Sequence, residues 1–393
     1  MTDLRTLSDL DLDGATVLIR ADLNVPLDDG AVDDDFRIVA SLPTIQAVRE
    51  AGGRVVVCSH LGRPKGLETG LSMRPVGARL SEIGGFEVVT ATDVGGPDSL
   101  HLVRVGGDRV VLLENTRYEP GESVNSPELA DAFAELADIF VLDAFGSAHR
   151  AHASTVGVAD RLPSAVGLLM ADELTAFERI LEDPERPFVV VLGGAKVSDK
   201  LGVMRALLPK VDAMLVGGAM CFTVLAAEGF EIGDSLVEED MLDEIRDLLR
   251  SEFGSRISLP VDIAVADRFA ANATHKIHPA TDLPSRGIGL DIGPETAARF
   301  GAILAGADTI FWNGPMGVAE WEAFAAGTGL VAEAVTSSSA YSVAGGGDSV
   351  AVLRRVGLAE GVDHLSTGGG AGLKLIEDGS LVAVDAVRRS RVP

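Results

Sequence analysis

The stretch Phe188-Val-Val-Val-Leu-Gly-Gly-Ala-Lys-Val-Ser-Asp-Lys200 decides how the rest of the chain is read. Its first five residues are apolar and largely β-branched, bounded by Pro187 and Gly193, which predicts a short strand covered on both faces. Gly193 and Gly194 let the backbone turn tightly and come close to a ligand. Lys196 and Lys200 are four residues apart, so a helix opening here would carry both ammonium groups on one face. Cations are disfavoured at the positive end of a helix. An anion held between the glycine amides and the two lysines removes that conflict, and the stretch reads as a phosphate site. The other lysines are Lys65, Lys210, Lys276 and Lys374, so two within one turn stand out; a solvated helix start is the plainer alternative.

The length of 393 residues suggests about two domains, and an apolar content of 47% is ample for both cores. With 33 basic against 59 acidic residues the net charge is −26, which argues against nucleic acid or anionic membrane as a partner. Functional cations are then expected in local patches. Cys58 and Cys221 are the two cysteines, each in apolar surroundings, which favours a reducing, cytoplasmic setting over a disulfide. The first ten residues lack the basic and apolar regions of a secretion signal, and no apolar run has the length of a membrane span.

Strands are predicted at Thr16 to Arg20, Arg54 to Ser59, Phe86 to Thr90, Arg109 to Glu114 and Ile139 to Asp143, with helical spacing between most of them, as in Arg37 to Ala51 and Pro127 to Ala137. That alternation is the mark of a mostly parallel sheet, whose ligands bind at the carboxyl ends of the strands. The exits supply Arg20, Arg63, Arg117 and Arg150, and Arg37 opens the first helix. One such arginine alone reads as a loop ion pair. Five at one sheet edge read as an anion site, since guanidinium forks match phosphate and carboxylate oxygens. His60, His149 and His152 lack zinc spacing and are expected to contact substrate or to be hydrogen-bonded in the core.

Ser164 to Asp183 is predicted as one long helix, closed by Pro184 and Pro187, and serves as connector between two series; a buried helix of a single domain is the alternative. In the second half, strands are predicted at Phe188 to Leu192, Ala213 to Val216, Pro260 to Ala266, Thr309 to Trp312 and Tyr341 to Ala344. Helices are predicted at Ser198 to Leu208, Ala219 to Glu228, Glu239 to Ser251, Pro294 to Leu304, Glu320 to Ala326 and Ser349 to Val356. The exits are glycine-rich, so bare backbone can pack against a nucleotide. Asp348, after three glycines, is either an N-cap or a Mg²⁺ ligand. No lysine follows a glycine, which excludes a P-loop, and G-x-G-x-x-G is absent.

Arg20-Ala-Asp-Leu-Asn-Val-Pro26, Ser59-His-Leu-Gly-Arg-Pro64, Leu113-Glu-Asn-Thr-Arg-Tyr118, Asp143-Ala-Phe-Gly-Ser-Ala-His-Arg-Ala-His-Ala-Ser154, the Gly193 to Lys200 stretch, Trp312-Asn-Gly-Pro-Met-Gly-Val318, Gly345-Gly-Gly-Asp348 and Ser366-Thr-Gly-Gly-Gly370 together resemble the phosphoglycerate kinase family, in order over nearly the whole chain. The resemblance implies an α/β fold of two doubly wound, Rossmann-like domains with parallel sheets joined by a connector helix. It implies a phosphoglycerate-binding domain over residues 1–165, and a connector helix with a nucleotide-binding domain over 166–393, the extreme C-terminus packing back on the N-terminal half. The implied reaction passes the acyl phosphate of 1,3-bisphosphoglycerate to Mg-ADP, giving 3-phosphoglycerate and ATP, in line and after domain closure, in a monomer.

By the same resemblance Arg37 and Lys196 are catalytic. Asp22, Leu23, Asn24, Arg37, His60, Leu61, Gly62, Arg63, Arg117 and Arg150 hold the triose. Lys200, Gly289, Asn313, Glu320, Gly346, Gly347, Asp348 and Ser349 hold ADP or ATP, with Asp348 on Mg²⁺. Cys221-Phe-Thr-Val departs from the family's usual string at a place expected beside the nucleotide. A different two-domain kinase or dehydrogenase, and a nucleotide-binding relic without activity, are the rival readings; intact Arg37, Lys196, Lys200 and Asp348 count against the relic.

Overall fold

The apolar runs become the centres of two parallel sheets in the computed structural model, which describes residues 4–391. The chain divides into two compact units, Met1–Thr175 with Asp378–Pro393, and Ala176–Glu377. The division falls inside the helix Leu168–Leu181.

In the first unit the strands are β1 (Thr16–Ala21), β4 (Arg54–Cys58), β5 (Val88–Thr90), β6 (Val110–Leu112), β7 (Ile139–Asp143) and β8 (Ser164–Val166), beside a small hairpin of β2 (Leu27–Asp28) and β3 (Ala31–Val32). Their spatial order is β5-β6-β4-β1-β7-β8, every pair parallel. All six residues of β1 are buried, as a central strand with helices on both faces requires. Arg20 lies beside Cys58 on one neighbour and Leu142 on the other, so the segments after residues 21, 58, 112 and 143 leave from one edge.

The second unit repeats the plan with β9 (Phe188–Leu192), β10 (Ala213–Val216), β11 (Ile257–Ser258), β15 (Thr309–Asn313), β16 (Tyr341–Gly345) and β17 (His364–Leu365), ordered β11-β10-β9-β15-β16-β17 and parallel throughout. Leu192 pairs with Val216 and with Asn313, which brings the glycine-rich exits together. An antiparallel sheet of β12 (Asp262–Ala266), β13 (His275–Pro279) and β14 (Ile288–Ile292) is added to this unit.

Three local expectations are corrected. Ser164–Val166 is not the start of the long helix but a buried edge strand on β7; the helix begins at Leu168, where Asp143 Oδ1 accepts from Met170 N at 3.1 Å. A carboxylate at that position satisfies an amide the helix cannot satisfy itself. The helix after the Gly193 turn opens only at Leu201, with Lys200 as the residue before it, so Lys196 and Lys200 do not share a helical face. Between Glu320 and Ala326 lies a single 3₁₀ turn, Glu322–Phe324; the true helix, Ala326–Ser337, follows it.

The last helix, Val382–Arg389, belongs to the first unit. Ala383 N donates to Ala148 O at 3.0 Å, and Arg389 Nε meets Asp160 Oδ1 at 2.8 Å. Arg5 donates to Ser164 O at 2.9 Å and to Val387 O at 2.9 Å, tying the first described residues to the last.

Candidate active site

The exits of the first sheet form one hydrogen-bonded cradle. Arg37 Nη1 donates to Asp22 Oδ1 at 3.1 Å and to Asn24 O at 3.2 Å, so a buried carboxylate aims the half-buried guanidinium. Asn24 Oδ1 accepts from Gly62 N at 2.7 Å, and Arg117 Nη1 donates to Gly62 O. Gly62 has φ +62°, a backbone conformation that glycine adopts without strain. Leu23 and Leu61 are buried and offer only their backbones; Leu23 N donates to Ser59 Oγ at 2.8 Å and Leu61 N to Asn115 Oδ1 at 3.1 Å.

Arg63, Arg117 and Arg150 line a cavity of about 610 Å³ with His152 and Glu122. Burial, and then the charges of Arg150, Arg20 and Arg63, hold the Arg117 guanidinium below its usual basicity, which means that positive charge is crowded here. His60 is also held well below the usual histidine range, by burial first and then by Arg20, Arg117, Arg150 and Arg37, so its ring is neutral. Arg20 is a correction: fully buried, it spends its donors on Ser154 Oγ at 2.8 Å, Ala21 O at 2.5 Å, Ser59 Oγ at 3.3 Å and His60 Nδ1 at 3.0 Å. It is a strut of the cradle and not a surface for an anion.

In the second unit the exits surround a cavity of about 500 Å³ with a mostly apolar wall of Phe222, Leu236, Ile263, Leu290, Met316 and Val318; Gly289, Glu320 and Asp348 also line it. Cys221 lines it as well, so the first two residues of the unusual Cys221-Phe-Thr-Val string face this space. Lys200 Nζ donates to Asn313 Oδ1, and burial pushes its pKa down to about 8 against the pull of Asp199 and Asp348. Gly314, φ +99°, passes so close to Gly193 that a Cβ would lie 2.3 Å from Gly193 O. Ser349 Oγ accepts from Gly314 N at 2.7 Å, and a Cβ on Gly346 would lie 3.1 Å from Asn313 Nδ2. Lys196 is exposed in the turn after Ala195 and does not line the cavity.

Asp348 is the second residue of the helix Gly347–Arg355, exposed, and makes no capping bond, which removes the N-cap alternative. Among the described residues no cluster of three metal-ligating side chains exists. One free-standing carboxylate beside a nucleotide-sized cavity fits magnesium, which takes one or two carboxylates and completes its shell with phosphate oxygens and water.

A family model for phosphoglycerate kinase matches residues 7–379. The chain belongs to the phosphoglycerate kinase family. It is 50% identical over 98% of its length to the phosphoglycerate kinase of Deinococcus radiodurans, covering 95% of that protein, and 50% identical over 98% to that of Thermus thermophilus, covering all of it. The solved phosphoglycerate kinase of Coxiella burnetii superposes with a TM-score of 0.86 at 40% identity, over 99% of this chain and 100% of that one. The enzyme is therefore a phosphotransferase, with the mixed α/β fold of its family.

Sequence reasoning missed three buried groups in these sites. Asn115 joins two exits through Leu61 and Leu71. Glu122 sits beneath the arginines. Asp291 lines the nucleotide-sized cavity, accepts from Gly327 N at 2.7 Å, and is raised to about 7 by burial. Asn115 lies within a quoted motif and was within reach; nothing in the sequence separates Glu122 or Asp291 from other acidic residues.

Proposed function

We propose that the first unit binds 3-phosphoglycerate or 1,3-bisphosphoglycerate and the second unit Mg-ADP or Mg-ATP, with Arg37 and Lys196 acting on the transferred phosphoryl group. The crowding of Arg63, Arg117 and Arg150 around one cavity, in a chain of net charge −26, carries the triose assignment. Like charges are gathered at an energetic cost that a bound dianion offsets. Asp22 and Asn24 orient Arg37, His60 supplies a neutral donor, and Leu23, Leu61 and Gly62 supply backbone.

On the nucleotide side, Phe222 and its neighbours cover the base, and Gly289 and Glu320 lie where base and ribose fit. Lys200, Asn313 and the Gly346, Gly347, Asp348 and Ser349 run lie at the phosphates. Asp348 would hold Mg²⁺, which when bound neutralises phosphate oxygens. Phosphoryl transfer depends on alignment and charge neutralisation more than on covalent help, so Arg37 and Lys196 are assigned to the equatorial oxygens. The cost of an exposed lysine is the ordering of its side chain on each turnover.

A coupled assay with 3-phosphoglycerate and Mg-ATP tests the reaction. Arg117→Ala should raise KM for 3-phosphoglycerate and leave KM for nucleotide unchanged; the reverse pattern sinks the assignment of units. The buried, unpaired Cys58 and Cys221 support a cytoplasmic location, and no described helix is long and apolar enough to cross a membrane. A monomer without nucleic-acid or membrane partners is the proposed state, checked by light scattering and by binding to anionic vesicles and DNA.

A further inference from the structure

Beneath the arginines of the first unit lies a carboxylate that the transfer itself does not use. Glu122 is 1% exposed, on the loop between Tyr118 and the helix Pro127–Ala134. Its oxygens accept from Ser154 N at 3.1 Å, Ser154 Oγ at 2.5 Å and Thr116 Oγ1 at 3.3 Å, and His152 Nδ1 faces it at 3.6 Å. Burial pushes this carboxyl up, but the His152 ring, the Arg20 charge and the Ser154 hydroxyl outweigh it, so the group is ionised.

From Glu122 a single line of polar contacts runs to the triose cradle. Ser154 Oγ gives its proton to Glu122 and accepts from Arg20 Nε at 2.8 Å. Arg20 Nη2 then meets His60 Nδ1 at 3.0 Å. A guanidinium only donates, so Nδ1 must accept, and a neutral ring that accepts at Nδ1 carries its proton on Nε2. The tautomer of His60 is thus decided by Arg20, whose Nη1 is held by Ala21 O and Ser59 Oγ and whose Nε is tied through Ser154 to Glu122.

We propose that Glu122 is a positioning residue for triose binding: acting through Ser154 and Arg20, it keeps His60 as the Nε2–H tautomer that donates to the substrate. The inference rests on the triose site proposed above. A buried arginine whose hydrogen bonds go mainly to carbonyls and hydroxyls needs a counter-charge nearby, and Glu122 is the carboxylate one hydroxyl away. Without it, Arg20 is free to turn toward other acceptors, and the constraint on His60 is lost.

The test uses the full-length enzyme with Glu122→Gln, Ser154→Ala and the double variant. Glu122→Gln keeps the shape and removes the charge; it should raise KM for 3-phosphoglycerate roughly tenfold, with kcat and KM for Mg-ATP within about twofold. Ser154→Ala should do the same, and the double variant should be no worse than the poorer single one, because both break one line. In ¹⁵N-histidine spectra, His60 should be the Nε2–H form in the wild type and a mixture in each variant. Unchanged triose KM, equal rises for both substrates, additive losses, or an unmoved His60 tautomer each overturn the proposal. Should Glu122→Gln fail to fold, Ser154→Ala decides alone. Loss of triose affinity in Arg117→Ala beside normal Glu122 and Ser154 variants sinks only this inference; unimpaired Arg117→Ala sinks the triose site.

Discussion

Lys200 offers the sharpest prediction, because burial has brought its pKa to about 8, inside the range where the enzyme can be assayed. Its Nζ already donates to Asn313, and Asp348 is close enough to favour the charged form. With that pKa the ammonium share falls from about nine-tenths at pH 7 to about one-tenth at pH 9. If only the ammonium form holds nucleotide phosphates, KM for nucleotide should rise about tenfold over that interval, measured at saturating Mg²⁺ and 3-phosphoglycerate. Lys200→Arg keeps its charge throughout and should flatten the curve. A nucleotide KM that stays level in the wild type from pH 7 to 9, or the same rise in Lys200→Arg, refutes the reasoning. The stability sign is opposite to that of a salt-bridged lysine. Between about 8 and 10.5 the unfolded chain still holds the proton that the native lysine has released, so this group's contribution to stability improves as pH rises through that window. Below it, keeping the ammonium buried is a standing cost.

Lys196→Ala should lower kcat far more than it weakens nucleotide binding, since the exposed ammonium has no ground-state partner in the cavity; equal losses in steady-state and binding measurements count against a transition-state role. Asp22→Asn removes the charge that aims Arg37 across 3.1 Å, and a charge-assisted bond of about 1.5–3 kcal/mol predicts at least a tenfold fall in kcat/KM for the triose. Burial raises Asp143 to about 7 from 3.8, so the native state holds a proton that the unfolded state lacks between those values. Stability of the first unit should therefore decline as pH rises from 4 to 7 and then level off, and Asp143→Asn should flatten that slope in thermal melts at a series of pH values.

Most of the frame was legible because central parallel strands are the least ambiguous elements a sequence can hold. Ile139 to Asp143, Phe188 to Leu192 and Ala213 to Val216 are found where their apolar runs predict. Of the edge strands, Val88–Thr90 lies within its predicted run, but Ser164–Val166 and His364–Leu365 are too short to show a period, and His275–Pro279 is polar because it lies largely exposed. The arginine-bearing exits were readable as a group, since residues after each strand of a parallel sheet must gather at one edge. Which of these arginines is buried and which is open was not readable from residue type alone. Arg20 sits within β1 and points into packed interior, a distinction that depends on register with β4 and β7 and not on residue type. The same limit hid Glu122, whose value comes from a partner thirty-two positions away.

The bond from Arg5 to Val387 has a bearing on how the protein is made. One lobe is assembled from two segments separated by some two hundred residues, while the other is a single uninterrupted run. A ribosome therefore delivers the bulk of the first lobe early and its closing helix only after the entire second lobe has emerged. The lobe begun first is completed last, its surface for Val382–Arg389 left bare through much of synthesis, and the nascent chain depends on the second lobe folding without capturing that patch.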